Sequence, residues 1–299
     1  MKWQAWYQAT RPRSLTATYV PVALGAVMAW EADHFRVVPL VLALLGVLFL
    51  QISANMLNEY FDYAKGSDSQ KTHGLGMILA RGLLTPRQVL AGGIVTLLLG
   101  VVIGLYFVAT AGWLVLWLGV GGTLAVVLYT AGPYPLAYIG MGELTVFFAM
   151  GPMIVLGTYY VIAEEATLAA VWASLPIAFL VANILHANNL RDLEADAAEQ
   201  KYTLATIFGR RFAQMEYTVL TAGAFLSVGV LIGAGIAPFL TVAVVYWGRE
   251  AWRLIHTGTH TTDAAQLHLV LVGTARLHKL FGMVYVGAWL VQVAVEKLT

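Results

Sequence analysis

The amino-acid sequence predicts an all-α polytopic membrane protein. Of its 299 residues, 60% are hydrophobic and only 11% are charged, and the mean hydropathy is +0.75. A soluble chain of this length needs far more polar surface. Apolar runs of about 20 residues recur along the chain, and such runs cross membranes as helices because lipid offers the backbone no other hydrogen-bond partner.

Nine membrane-spanning helices are predicted from the positions of the apolar runs. They cover, to within a few residues, 14–30, 37–61, 88–109, 112–130, 142–162, 167–189, 213–233, 236–255 and 279–296. The third and fourth should form a tight hairpin, because very few residues join them. We expect the chain, 1–299, to form a single membrane domain in which 1–141 and 142–299 are repeated halves.

The distribution of positive charge predicts the orientation of the chain. With the N-terminus inside, fifteen of the 17 Lys and Arg residues fall on inner segments, and only Arg36 and Lys297 fall on outer ones. Cytoplasmic segments of membrane proteins carry such an excess of positive charge. Three inner segments, about 62–87, 190–212 and 248–278, are predicted to be long polar loops, where binding and chemistry usually lie.

Composition also excludes several kinds of chemistry. The chain has no cysteine, so disulfides, thiol catalysis and Cys-ligated metals are excluded. The net charge is +1, and no basic block suggests a nucleic-acid partner. The expected surroundings are the lipid bilayer.

An Asn-x-x-x-Asp pattern occurs twice and is the main functional signal. It reads NEYFD at residues 58–62 and NNLRD at residues 188–192, with an offset of 130 residues for both the Asn and the Asp. Each copy closes an apolar helix, the second and the sixth, at the same predicted face. Two copies four helices apart are consistent with a parallel internal repeat.

Helix geometry places the members of each copy on a common face. Residues four apart are neighbours on a helix, so Asn58 projects with Asp62, and Asn188 projects with Asp192 and Asp196. The acids lie at helix C-termini, where the helix dipole disfavours negative charge. They also repel one another across the bundle, so a cation should compensate them.

Hard oxygen ligands without cysteine favour Mg²⁺, which also keeps positions for phosphate oxygens. We expect two or three Mg²⁺ ions that bridge a diphosphate between the two motifs. The predicted metal ligands are Asn58, Asp62, Asp68, Asp192 and Asp196, and Asn188 joins them as a sixth catalytic residue. The predicted phosphate partners are Lys65, Arg81, Arg191 and Lys201, although each is also an ordinary inner-face charge.

These motifs resemble the UbiA superfamily of intramembrane prenyltransferases. The segment 58–68, NEYFDYAKGSD, is similar to the family's first aspartate motif, and 188–209, NNLRDLEADAAEQKYTLATIFG, is similar to its second. The segment 129–152, which contains GPYPLAYIGMGE, resembles the branch that acts on 1,4-dihydroxy-2-naphthoate. Glu59 and Ile139 depart from the family pattern, since many relatives have Asp and a basic residue there.

The resemblance implies a fold and a reaction. The fold is nine helices around a central cavity, with the acid motifs near its cytoplasmic mouth and a lateral opening to the bilayer. The reaction is Mg²⁺-dependent transfer of a polyprenyl group from its diphosphate to an aromatic acceptor, as in menaquinone biosynthesis. The setting is a prokaryotic cell membrane.

Other acceptors and another class of protein remain open. Homogentisate, 4-hydroxybenzoate, a chlorin or haem, and glyceryl phosphate are alternative acceptors within the family. A cation-coupled transporter is the alternative class, but transporters bind near the bilayer midplane, whereas these acids cluster at one face beside Lys and Arg.

Six residues receive weaker expectations. Tyr129 and Tyr138 flank a turn and are expected either to face the substrate or to anchor the chain at the membrane interface. Arg13 is expected either to reach the acceptor's carboxylate or to be an inner-face topology charge. Glu143 is expected either to line the cavity or to cap the start of its helix, and His186 is expected at the cavity wall. Glu59 is the acid with the least certain role.

Overall fold

The computed structural model describes residues 2–66 and 77–299, except for the side chains of Lys2 and Arg13. Within those ranges the secondary structure is helical apart from one isolated bridge between Ile139 and Tyr202, so the predicted all-α architecture is confirmed. The α-helices are α1 (Lys2–Ala9), α2 (Thr16–Glu31), α3 (Val37–Lys65), α4 (Pro86–Ala111), α5 (Trp113–Leu128), α6 (Gly142–Phe148), α7 (Ile154–Ala163), α8 (Leu168–Ala173), α9 (Leu175–Arg191), α10 (Leu193–Ala198), α11 (Leu204–Phe208), α12 (Arg210–Gly233), α13 (Gly248–His260) and α14 (Ala264–Leu298).

Short non-α turns connect some of these helices. A π-helical turn, Ala149–Met153, joins α6 to α7, and a 3₁₀ helix, Phe239–Trp247, leads into α13. Within the described part of the chain, five helical stretches are long and apolar enough to cross a membrane: Val37–Lys65, Pro86–Ala111, Gly142–Ala163, Arg210–Gly233 and Ala264–Leu298. The membrane character is therefore confirmed, whereas the number of nine spans stays a prediction.

The expected loop at 248–278 is wrong, because most of it is helical. Helix α13 buries Ala251, Leu254 and Gly258 on one side and exposes its charged residues on the other. Helix α14 begins at Ala264, after Asp263 accepts a hydrogen bond from the Ala265 amide at 3.1 Å. Several polar residues that suggested a loop lie on the exposed face of the amphipathic helix α13, and residues 261–263 join it to α14.

Two helix ends set the positions of the acid motifs. Helix α3 ends at Lys65, and Gly66 adopts φ 78°, a left-handed conformation that glycine accepts without a steric cost. Helix α9 ends at Arg191, and Asp192 follows it as the first residue outside the helix. Helix α9 packs against α12 and α14, so the second motif lies at the end of a helix that is held between two others.

Close helix contacts depend on small residues. Gly25 of α2 faces α7 so closely that an added Cβ would lie 2.7 Å from the carbonyl oxygen of Val155. Small residues at such crossings let helix backbones approach in membrane proteins, where van der Waals packing drives association.

Ion pairs join the helix ends at the opposite side of the bundle from the motifs. Arg36 pairs with Glu164, and Lys297 pairs with Asp33. The hydrogen bond from Lys297 holds the pKa of the Asp33 carboxyl below its usual value. Arg36 and Lys297, the two basic residues that the sequence assigned to outer segments, are thus each paired with an acid.

Candidate active site

Both acid motifs open onto one cavity of about 890 Å³. Asn58 and Asp62, from the end of α3, line it together with Asn188 and Asp192, from the end of α9. Residues 130 positions apart in sequence therefore line the same cavity, as the repeated pattern suggested.

The first motif is held in place by Tyr138. The Tyr138 hydroxyl donates a hydrogen bond to Oδ1 of Asp62 at 2.9 Å. The ammonium group of Lys65 lies 4.2 Å from the centre of the Tyr138 ring and donates to the Thr130 carbonyl at 3.0 Å. Lys65 is therefore held beside the ring by a cation–π contact, and Tyr138 is a cavity residue rather than a membrane-interface anchor.

Arg11 ties the N-terminal segment to the first motif. From the sequence it was expected to be only an inner-face charge. Its guanidinium donates to Oδ1 of Asn58 at 3.2 Å and to Oε2 of Glu59 at 2.9 Å. Its backbone has φ 51°, a left-handed conformation that a non-glycine residue adopts only where its surroundings enforce it. Arg11 and Asn58 both line the cavity.

Glu59 is a buried structural acid in this arrangement. Its side chain is 4% exposed, and its Oε1 accepts the backbone N–H groups of Ile78 and Leu79 at 2.6 and 3.3 Å. It thereby fastens the turn at residues 77–82 to α3. Both of its oxygens already have donors, which distinguishes it from Asp62.

The second motif contains a bidentate ion pair. Arg191 donates to both carboxylate oxygens of Asp192, at 2.6 and 2.5 Å, and to Oδ1 of Asn188 at 3.0 Å. Its remaining nitrogen lies 3.2 Å from Nδ1 of His268 on α14. Arg191 is buried and lines the cavity, so it neutralises Asp192 where sequence reasoning expected it to contact phosphate.

Asp196 lies behind the cavity wall. It is fully buried, and its Oδ2 accepts from the Lys201 ammonium at 3.0 Å. Lys201 itself lines the cavity and lies 5.6 Å from the Tyr138 ring. The Tyr202 amide donates to the Tyr138 carbonyl at 3.2 Å. This backbone contact joins the tyrosine of the first motif to the loop of the second.

The remaining predicted residues fall into three groups. Tyr129 lines the cavity. Arg81 is exposed and is not among the residues that line the cavity. Asp68 lies outside the described residues, as does the side chain of Arg13.

Glu143 and His186 were expected at the cavity wall, and that expectation is wrong. Both are buried, and neither is among the described residues that line the cavity. Glu143 lies between His186 and Asn189, which does line the cavity. His186 also contacts the Ala213 carbonyl and Glu216.

The cavity has a cationic end and an apolar end. Among the described residues, five positively charged and three acidic side chains line the cavity. The positively charged residues are Arg11, Arg191 and Lys201, together with Arg276 and Lys279 of α14. Sequence reasoning assigned Arg276 and Lys279 to topology alone, although their spacing of three places them on one helix face. The apolar lining includes Leu50, Ile103, Phe107, Val115, Leu118 and Met153. The cavity suits an amphiphile with a polyanionic head.

A helical membrane bundle with a cavity lined by acids, cations and apolar side chains defines the class, an integral membrane protein with an amphiphilic cavity inside its helix bundle. The sequence profile of the UbiA prenyltransferase family matches residues 18–291. The chain belongs to the UbiA prenyltransferase family, so the expectation of a prenyltransferase is confirmed.

Individual relatives and solved structures agree with this assignment. The chain is 32% identical to a 1,4-dihydroxy-2-naphthoate octaprenyltransferase of Bacillus subtilis, over 80% of this chain and 77% of the relative. It is 31% identical to an Escherichia coli protein of the same name, over 75% and 74%. The fold resembles that of a UbiA homolog from Archaeoglobus fulgidus bound to GPP and Mg²⁺, with a TM-score of 0.66, 16% identity, and coverage of 95% of this chain and 99% of the homolog.

Proposed function

We propose that the protein transfers a polyprenyl group from its diphosphate to 1,4-dihydroxy-2-naphthoate, in a Mg²⁺-dependent step of menaquinone biosynthesis that yields demethylmenaquinol. The observation that supports this most is the shared cavity, in which two Asn/Asp pairs and five cations meet an apolar lining. The relatives named for this acceptor support its choice over homogentisate or 4-hydroxybenzoate.

The residues present fit Mg²⁺. Amide and carboxylate oxygens of Asn58, Asp62, Asn188 and Asp192 line one cavity, and hard oxygen donors are those that Mg²⁺ prefers. Asp62 has one oxygen bound to Tyr138 in the structure, which leaves the other as a candidate ligand. When bound, Mg²⁺ would neutralise diphosphate oxygens and stabilise the charge of the leaving group. Whether two or three ions bind is part of the proposal.

Basic residues receive the diphosphate beside the acids. Lys201, Arg276 and Lys279 present ammonium and guanidinium groups to the cavity. In the structure, the Arg191 guanidinium is paired with Asp192. Phosphate oxygens match the fork geometry of a guanidinium, so a diphosphate competes for Arg191. We propose that this exchange frees the Asp192 carboxylate to act as a metal ligand.

The apolar part of the cavity holds the prenyl chain and excludes water. The allylic C–O bond breaks, and the diphosphate leaves with the electron pair. The ring carbon that bears the carboxylate bonds to the prenyl carbon, and CO₂ leaves and returns its bonding pair to the ring. Exclusion of water protects the developing allylic cation from hydrolysis. The Tyr129 ring faces the cavity and can stabilise that cation through its π-system.

The proposed setting is a prokaryotic cell membrane, with the N-terminus and the cavity mouth at the cytoplasmic side. This orientation rests on the excess of Lys and Arg at the end of the bundle that carries the motifs. Cysteine-scanning accessibility would test it, with single cysteines introduced at the exposed positions Glu194 and Glu164, which lie at opposite helix ends.

The function is tested with purified protein in detergent, a prenyl diphosphate, Mg²⁺ and each candidate acceptor in turn. Prenylated naphthoquinol and CO₂ are expected from 1,4-dihydroxy-2-naphthoate, and EDTA or Asp62→Ala should abolish them. Glu194→Gln is the control, since Glu194 is exposed and outside the cavity. Turnover of another acceptor with none of the naphthoate would contradict the assignment.

A further inference from the structure

Three ionisable side chains from three helices converge behind the cavity wall. Nδ1 of His186 in α9 lies 3.2 Å from Oε1 of Glu143 in α6 and 3.4 Å from Oε2 of Glu216 in α12. The three ligand atoms all lie within 4.8 Å of one another. We propose that this cluster binds a divalent transition-metal ion, separate from any Mg²⁺ at the acid motifs, with Zn²⁺ as the test ion.

The contacts of His186 fix which nitrogen faces the acids. Its Nε2 lies 2.7 Å from the carbonyl oxygen of Ala213, and a carbonyl oxygen only accepts hydrogen bonds. Nε2 therefore carries a hydrogen, and in the neutral imidazole Nδ1 presents a lone pair. That lone pair points at two carboxylate oxygens, which repel it.

A bound cation resolves this conflict better than a proton does. A proton on Nδ1 would satisfy its contact with Glu143. Oε2 of Glu216 would stay buried without a hydrogen-bond partner among the described residues, as it is in the structure. Two carboxylates and one imidazolium would also leave a net negative charge in a buried place, which is costly. A divalent ion supplies a partner to all three atoms and neutralises the cluster.

Two of the three separations match the spacing of ligands around a metal ion, and the third, between the two carboxylate oxygens, is at most 4.8 Å. Zinc binds imidazole nitrogen and carboxylate oxygen at about 2.0–2.1 Å, so adjacent ligands of a tetrahedral ion lie about 3.3 Å apart. The two distances from Nδ1, 3.2 and 3.4 Å, agree with that spacing. Three protein ligands leave a fourth position, which a water molecule can fill.

Neighbouring groups orient the proposed ligands. Metal-binding histidines usually donate their other N–H to a carbonyl or carboxylate, and His186 does so to Ala213. Asn189 donates to Oε1 of Glu143 at 2.8 Å and lies next to Asn188 of the second motif. An imidazole ligand favours zinc, copper, iron or nickel over Mg²⁺. The ion would thus brace the end of α9 from behind.

Metal content of the purified protein tests the proposal. The wild type is stripped with EDTA, loaded with Zn²⁺, desalted and analysed by mass spectrometry for zinc. We expect about one zinc per chain, and a more than tenfold weaker affinity in His186→Gln and Glu216→Gln. Asp192→Asn should keep the zinc, because its side chain belongs to the cavity, and His256→Gln should keep it because His256 is exposed elsewhere.

Two further readouts keep the result independent of variant folding. X-ray absorption of the zinc-loaded wild type should show one imidazole and otherwise oxygen ligands, and Co²⁺ should give visible d–d absorption. The proposal is overturned if the wild type retains no more zinc than His186→Gln, which indicates a proton-bridged cluster. It is equally overturned if Asp192→Asn loses the zinc while His186→Gln keeps it.

Discussion

Glu59→Gln tests whether the first motif contains one structural acid and one ligand acid. Glu59 is buried, pairs with Arg11 at 2.9 Å, and accepts two backbone N–H groups at residues 78 and 79. Glutamine keeps an oxygen that can accept both backbone bonds, but it loses the charge that faces Arg11. The amide nitrogen then faces the guanidinium, so the substitution removes the ion pair together with its hydrogen bond.

The expected cost follows from that single loss. A hydrogen bond between charged groups contributes about 1.5–3 kcal/mol, and Arg11 is 21% exposed, which screens part of the interaction. We expect Glu59→Gln to reduce the free energy of unfolding by about 2 kcal/mol. Glu59→Ala also strands two buried backbone donors, so its cost should be about 4 kcal/mol or more.

Thermal unfolding in detergent measures the loss of stability. A Mg²⁺ titration of prenyl-transfer activity is recorded for the same variants. Glu59→Gln should melt at a lower temperature, while the Mg²⁺ concentration for half-maximal activity stays near that of the wild type. Glu194→Gln is the matched control, because its pair with Arg210 is solvent-exposed on the Glu194 side and should contribute less than about 1 kcal/mol. A Glu59→Gln protein with wild-type melting and a tenfold higher Mg²⁺ requirement would refute this reasoning and make Glu59 a ligand.

Three other substitutions address single contacts. Tyr138→Phe removes the hydrogen bond to Asp62. A loss of about 1.4 kcal/mol corresponds to a factor of ten, so kcat/KM should fall about tenfold. An unchanged rate and Mg²⁺ dependence would show that this hydrogen bond has no role in the reaction. Arg191→Lys cannot form the bidentate pair with Asp192 and should raise KM for the prenyl diphosphate, measured at saturating acceptor. Gly25→Ala places a methyl group 2.7 Å from a carbonyl oxygen of α7 and should cost about 1–3 kcal/mol in thermal unfolding, whereas Gly229→Ala, with open space around it, should be near neutral.

Local patterns predicted most of the fold and the convergence of the two motifs. The predicted span at 37–61 corresponds to α3, Val37–Lys65. The 130-residue offset placed Asn58 and Asn188 at equivalent helix ends, and the structure brings both to one cavity. Periodicity and composition suffice for the helix and its end because both depend on neighbours in the same helix, whereas the convergence was predicted from the repeated pattern and the family resemblance.

Features that depend on tertiary contacts were not predictable. Arg11 looked like an inner-face charge, and only the packing of the N-terminal segment on α3 shows that it holds Asn58 and Glu59. The burial of His186 behind the wall depends on which face of α9 meets α12. A sequence pattern gives the spacing of side chains along a helix, but not which helix each face contacts.

A structure with a non-hydrolysable prenyl thiodiphosphate and Mn²⁺ in place of Mg²⁺ tests the central claim most directly. The metal's anomalous signal, or its density, should lie between Asn58 and Asp62 on one side and Asn188 and Asp192 on the other. The diphosphate should contact Lys201, and the prenyl chain should follow the apolar lining past Phe107. A diphosphate bound outside this cavity, or one bound there with no metal near either motif, would contradict the account.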